Sequence, residues 1–209
     1  MSPAWRWLGR VPYTEALEWQ RARRESVIAG EAGEVLALLE HPAVVTTGRR
    51  EAGDLAGVHA AGIPVVPTER GGLATWHGPG QLVGYPILDI GRHGLGVRAF
   101  VSLVEDVLVG ALDEVGIQAC RREGFPGVWV GEAKIASIGL HFRRGVSMHG
   151  FALNLTADLS DFGRFTACGI EGVRLTSAAE LGVSVGPERF CTPLALRFLA
   201  AVDTARGRH

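Results

Sequence analysis

Hydrophobic and polar positions recur along this chain with two periods, and these divide it into elements. Residues 13–29 carry apolar positions at helical spacing and predict an amphipathic helix. Residues 97–115 give the clearest helix, with Val97, Phe100, Val101, Val104, Leu108, Ala111, Leu112 and Val115 on one stripe. Short apolar runs at 35–39, 44–47, 63–67, 82–90, 127–130, 134–142 and 146–155 predict strands. His41-Pro42 separates the first two, and Arg143-Arg144-Gly145 predicts a tight hairpin between the last two. Residues 70–81 are glycine-rich and predict a loop. Ser177-Ala-Ala-Glu180 is a capping-box pattern that opens a short helix. Thr192-Pro193 predicts the start of a C-terminal helix of roughly a dozen residues, by its cap and first-turn proline. Strands at hairpin distance with few long helices predict an α+β fold, its mixed or antiparallel sheet flanked by helices. One domain over 1–209 is expected, the alternative being a small C-terminal subdomain from about 187.

Composition narrows the classes. With 47% hydrophobic and 21% charged residues, the chain reads as an ordinary globular domain. A net charge of −1 supplies no global field for nucleic acid or an anionic membrane, so neither partner is expected. Arg49-Arg50, Arg121-Arg122, Arg143-Arg144 and the Arg21, Arg23, Arg24 group read as solvated rim. No apolar run reaches the roughly 18 residues of a membrane span, and no basic-then-apolar leader opens the chain. Cys120, Cys168 and Cys191 are odd in number and widely spaced. They form neither a disulfide framework nor a zinc pattern, so a reducing cytoplasm and no metal are expected.

One basic residue stands apart. Of 21 Lys and Arg residues only Lys134 is a lysine, and it lies in an apolar, strand-like stretch. Arginine does not give up its proton at usable pH, whereas a lysine in a desolvated or charged setting can. Lys134 is therefore a candidate proton-handling amine, the alternative being a chance survivor of arginine bias.

Three other stretches carry candidate chemistry. Arg70-Gly71-Gly72-Leu73-Ala74-Thr75-Trp76-His77 continues to Gln81 and sets polar anchors among glycines that let a ligand approach backbone closely. It lacks phosphate-loop and dinucleotide spacing. His149-Gly150-Phe151-Ala152 alternates small and large residues, as do Ser137-Ile138-Gly139 nearby. Small residues facing one another leave a groove wide enough for an alkyl chain; close sheet packing is the competing reading. His149 itself, like His41, His59, His93 and His141, reads first as structural or exposed. Cys168, in a polar loop before Gly169, is the candidate nucleophile, with backbone N–H groups to support a thiolate. Cys120 and Cys191 read as small buried hydrophobes.

These pieces together resemble the lipoyl(octanoyl) transferase family. The resemblance is carried by Glu40-His-Pro42 with Thr47-Gly48, the Arg70 to Gln81 stretch through Tyr85-Pro86, and Gly127-Val-Trp-Val130. It continues through Lys134-Ile-Ala-Ser-Ile-Gly139, His149-Gly-Phe-Ala-Leu-Asn154 and Cys168-Gly-Ile170. It implies a fold similar to the catalytic domain of biotin and lipoate ligases. It also implies octanoyl transfer from acyl carrier protein to a lysine of a lipoyl domain, with Cys168 carrying the acyl group and Lys134 as its acid/base partner. Residues 70–77, 137–139 and 149–152 would line the acyl pocket. Acceptors would be lipoyl domains of 2-oxoacid dehydrogenases and the glycine cleavage H protein. No cofactor is implied beyond the donor's phosphopantetheine. Ala167 departs from the family pattern, in which Pro precedes the cysteine; its loss relaxes φ but removes no functional group. Two alternatives are an ATP-dependent lipoate or biotin ligase of the same fold, and a non-catalytic acyl-binding module.

Overall fold

The computed structural model describes residues 3–50, 53–165 and 173–207. Its elements in chain order are β1 (Ala4–Arg10), α1 (Tyr13–Ala29), β2 (Val35–Glu40), β3 (Val44–Thr47) and α2 (Ala56–Ala60). Next come β4 (Val65–Pro67), β5 (Thr75–His77), β6 (Gln81–Ile87), α3 (Val97–Asp113), β7 (Cys120–Arg121) and β8 (Gly127–Val130). The chain continues through β9 (Ala133–Arg143), β10 (Val146–Asn154), β11 (Arg174–Leu175) and α4 (Pro187–Arg206).

The main sheet runs β1-β2-β6-β10-β9-β8-β7, with β11 added beside β9. It is mixed: β1 runs parallel to β2 and β11 to β9, and the other neighbours are antiparallel. Strand alternation sends Leu36, Leu38, Leu82, Phe151 and Leu153 to one face, where Phe100, Val104 and Leu108 of α3 and Leu194 and Phe198 of α4 cover them. The intervening residues Ala37, Leu39, Val83, Tyr85 and Ala152 face the other way, towards Ala16 of α1. A second sheet, β4-β3-β5, stands beside the first. The expected α+β architecture is therefore the observed one.

Boundaries moved where tertiary packing outweighed local signals. The loop expected at 70–81 contains β5, which pairs antiparallel with β3. Flanking glycines hid a β-branched and aromatic triplet. β1 was not anticipated; its Trp5 and Trp7 alternate with exposed positions. The capping-box bonds between Ser177 and Glu180 form in both directions at 3.3 Å, but only one turn follows. Gly182 closes it with φ +84°. The last helix begins at Pro187, not at Thr192, and Pro193 lies inside it. Burial of Phe190, Cys191 and Leu194 in the main core offsets the hydrogen bond that Pro193 cannot donate. The Arg143 to Val146 hairpin forms as expected, with Arg144 and Gly145 at φ +49° and +82°. Among the described residues no helix is long and apolar enough to cross a membrane.

Candidate active site

A cleft of about 560 Å³ opens between the β9–β10 hairpin, the 70–77 segment and the first turn of α3. Lys134, Ser137, Ile138 and Gly139 of β9 line it, as do His149, Gly150, Phe151 and Ala152 of β10. Arg70, Gly71, Gly72, Leu73, Ala74, Thr75 and His77 form another wall. Trp76 does not take part. Alternation along β5 sends its indole to a separate cluster with Val45, Val58 and Phe162. Cys168, with its neighbours Ala167 and Gly169, lies outside the described residues.

Gly139 and Gly150 in this cleft serve close approach. A side chain at Gly150 would overlap the Gly84 carbonyl of β6 and stand 2.6 Å from Pro86 Cδ. At Gly139 it would meet Gly71 O at 3.2 Å and Arg70 Cδ at 3.3 Å. Gly139 thus lets the Arg-Gly-Gly segment lie directly on the sheet, where Gly71 N–H donates to Leu140 O at 3.1 Å.

Arg70 is buried, and its guanidinium is turned into the protein. Nη2 donates to Thr46 O at 2.7 Å and to Thr46 Oγ1 at 2.9 Å, and Nη1 donates to Gly71 O at 3.0 Å. From Thr46 a hydrogen-bond relay crosses the molecule. His77 is buried, and that burial pushes its imidazole down to about 3, so the ring is neutral. A neutral ring donates from one nitrogen and accepts at the other. Its Nδ1–H donates to Gln81 Oε1 at 2.7 Å, leaving Nε2 to accept from Thr46 Oγ1 at 3.5 Å. Gln81 Nε2 donates to Asn154 Oδ1 at 2.9 Å, and Asn154 Nδ2 donates to Thr176 O at 3.1 Å. Thr176 N–H closes on Lys134 O at 3.1 Å. The arginine segment is thereby tied to the backbone of the lysine strand.

Beside this relay, His41 Nδ1–H donates to Val11 O at 2.6 Å, so its Nε2 accepts from the Tyr85 hydroxyl at 2.7 Å. Burial pushes His41 down to about 4, pushes Tyr13 up to about 12 and raises Tyr85 as well. Tyr13 stacks on His77 with centroids 5.7 Å apart. His149 takes an unusual backbone, φ +59°, and is 2% exposed. Its N–H donates to Gln20 Oε1 at 2.9 Å, and neither ring nitrogen has a hydrogen-bond partner among the described residues.

Lys134 is 5% exposed at the opposite end of the β9 wall. A bulge in the β8–β9 pairing sets Trp129 against it, with Nζ 5.4 Å from the indole centroid. On its other strand edge, Leu175 of β11 pairs with it.

The catalytic-domain model shared by lipoyl protein ligases A and B matches residues 12–199. An octanoyltransferase of Syntrophotalea carbinolica is 45% identical over 174 residues, 83% of this chain and 82% of that protein. The chain belongs to the octanoyltransferase family. Solved structures agree on the fold. A bipartite lipoate protein ligase of Thermoplasma acidophilum superposes with a TM-score of 0.74 at 19% identity, covering 97% of this chain and 84% of that one. Biotin protein ligase from Aquifex aeolicus gives 0.59 at 12% identity, covering 100% and 72%.

Several residues here were not singled out from sequence. Thr46 and Tyr13 line or brace the cleft, and Glu105 of α3 reaches its lysine end; Tyr85, signalled only as part of the family pattern, lines it too. An acid on the apolar stripe of 97–115 was the available signal for Glu105. Two expectations are corrected. Cys120 is exposed rather than buried, because β7 is the sheet edge. Arg24 is buried rather than solvated, with Nη1 3.0 Å from His141 Nδ1.

Proposed function

We propose that this chain transfers an octanoyl group from acyl carrier protein to a lysine of a lipoyl domain, with Cys168 as nucleophile and Lys134 as acid/base. The acceptor proteins would be 2-oxoacid dehydrogenase components and the glycine cleavage H protein. The observation that carries this reading is that the chain's one lysine is buried in the wall of the cleft. The identity to octanoyltransferases supports it as well. So does the pairing of Leu175, seven positions after Cys168 in sequence, with Lys134.

In the first step the Cys168 thiolate attacks the donor's thioester carbonyl, and the bond to the pantetheine sulfur breaks. The Lys134 ammonium protonates that leaving sulfur and becomes a neutral amine. In the second step the acceptor amine attacks the acyl-enzyme carbonyl. Neutral Lys134 takes the amine's proton, and the Cys168 sulfur leaves as thiolate. Exchange between thioesters is nearly isoenergetic and amide formation from a thioester runs downhill, so the cycle calls for neither ATP nor a metal.

Mass spectrometry after incubation with octanoyl-acyl carrier protein tests this. An octanoyl adduct is expected on the Cys168 peptide. An adduct on Cys120 or Cys191 instead overturns the assignment. Pyrophosphate release from ATP and octanoate would favour a ligase, and octanoyl binding with no adduct would leave only a binding module.

A further inference from the structure

We propose that Glu105 and Gly127 are positioning residues for Lys134: the glutamate holds the Gly127 amide, and the glycine forms the bed on which the lysine head rests. This inference rests on the reading of Lys134 as the proton-handling group.

Glu105 occupies the buried face of α3, 8% exposed, among Val104, Val107 and Leu108. A carboxylate there loses hydration and is costly unless something specific needs it. Its Oε1 accepts the Gly127 N–H at 2.9 Å, at the first residue of β8. Gly127 has φ +130°, a conformation that a side chain strains. A Cβ at that position would overlap Lys134 Cε, stand 2.5 Å from Ala136 O and stand 3.1 Å from Lys134 Nζ. The end of the lysine therefore lies in the space that the missing side chain leaves. Across the bulge, Trp129 bounds the same space. The order of dependence is then clear. Glu105 fixes where β8 begins, that start sets Gly127 in its glycine-only conformation, and Gly127 sets the height of the ammonium in the cleft. A base displaced by about 1 Å loses on the order of 100-fold in rate, so such a support acts on turnover and not on substrate binding.

Two mild substitutions separate support from charge. Glu105→Gln keeps the reach and an acceptor oxygen but removes the charge. Glu105→Asp keeps the charge but stops one methylene short of Gly127. Steady-state transfer from octanoyl-acyl carrier protein to a lipoyl domain, with thermal unfolding as a check on folding, reads both. Glu105→Gln is expected within about 3-fold of wild type. Glu105→Asp is expected to lose roughly 10-fold in kcat, with KM for the donor within about 2-fold. The proposal is overturned if Asp matches wild type, if Gln is the more impaired, or if both fall equally. Lys134→Ala run alongside separates this inference from the reading beneath it. If Lys134→Ala transfers normally, the acid/base assignment fails. If it is inactive while both Glu105 variants match wild type, only the support fails.

Discussion

Arg70 and Lys134 are two buried basic residues on one cleft, and their surroundings differ. Arg70 is anchored by directed hydrogen bonds, its donors turned onto Thr46 and Gly71. The end of Lys134 lies in the gap over Gly127 and beside Trp129. A guanidinium keeps its proton and offers a rigid fork, which suits a joint between two sheets. A lysine amine, unlike a guanidinium, can release and regain its proton once its surroundings are desolvated or charged. The contrast teaches that burial of a basic residue alone does not mark a proton-handling group; which base is buried, and beside what, matters as well.

The sharpest way to break this contrast is to exchange the cations. Lys134→Arg keeps the charge, and its transfer rate is expected to fall about 10²- to 10⁴-fold. Near wild-type transfer by that variant would remove Lys134 as acid/base. The reverse change, Arg70→Lys, is expected to act on stability. Loss of the forked bonds to Thr46 costs about 1–3 kcal/mol, read as a lower urea midpoint. If Arg70→Lys instead leaves the midpoint unchanged, the joint is not built as described.

Acid sharpens the relay side. Burial pushes His77 and His149 to about 3 and His41 to about 4, against 6.5 for an ordinary imidazole. The folded rings resist protons that the unfolded chain accepts, so stability is full above about pH 6.5 and declines as pH falls towards 3–4. By pH 5 each histidine contributes a loss of about 1–2 kcal/mol. Denaturant midpoints that stay level from pH 7 to pH 5 would contradict burial as the cause. The smallest effect belongs to the rim. Arg21 pairs with Glu69 at 2.9 Å, but its side chain is 48% exposed. Arg21→Ala should therefore change stability by less than about 1 kcal/mol, and less again in high salt.

Periodicity made α1 and α3 legible in the sequence, because each buries one regular face, while the β9–β10 hairpin showed in its apolar runs and its Arg143-Arg144-Gly145 turn. β5 was not, since three strand residues inside a glycine run carry no period of their own. Trp76 shows the cost of that: read as part of a loop it belongs with its neighbours, but read as a strand residue it faces away from them. Lys134 stood out by being alone. The relay did not, because its partners, such as Gln81 and Asn154, are 73 positions apart and each is an ordinary polar residue. Gly150 and Gly139 stand out in the sequence for their size, which leaves an alkyl groove and close sheet packing both open. In the structure both line the cleft and both sit in close contact, Gly150 against the Gly84 carbonyl and Gly139 against the Gly71 carbonyl and the Arg70 stem.

The solitary lysine also makes the protein its own reporter. No other side chain offers an amine, so an amine-reactive label small enough to enter the cleft marks Lys134 and otherwise only an α-amino group. Labelling kinetics on the intact chain would read occupancy of the cleft directly. A bound acyl group should shield that one position, with no background from surface lysines to subtract.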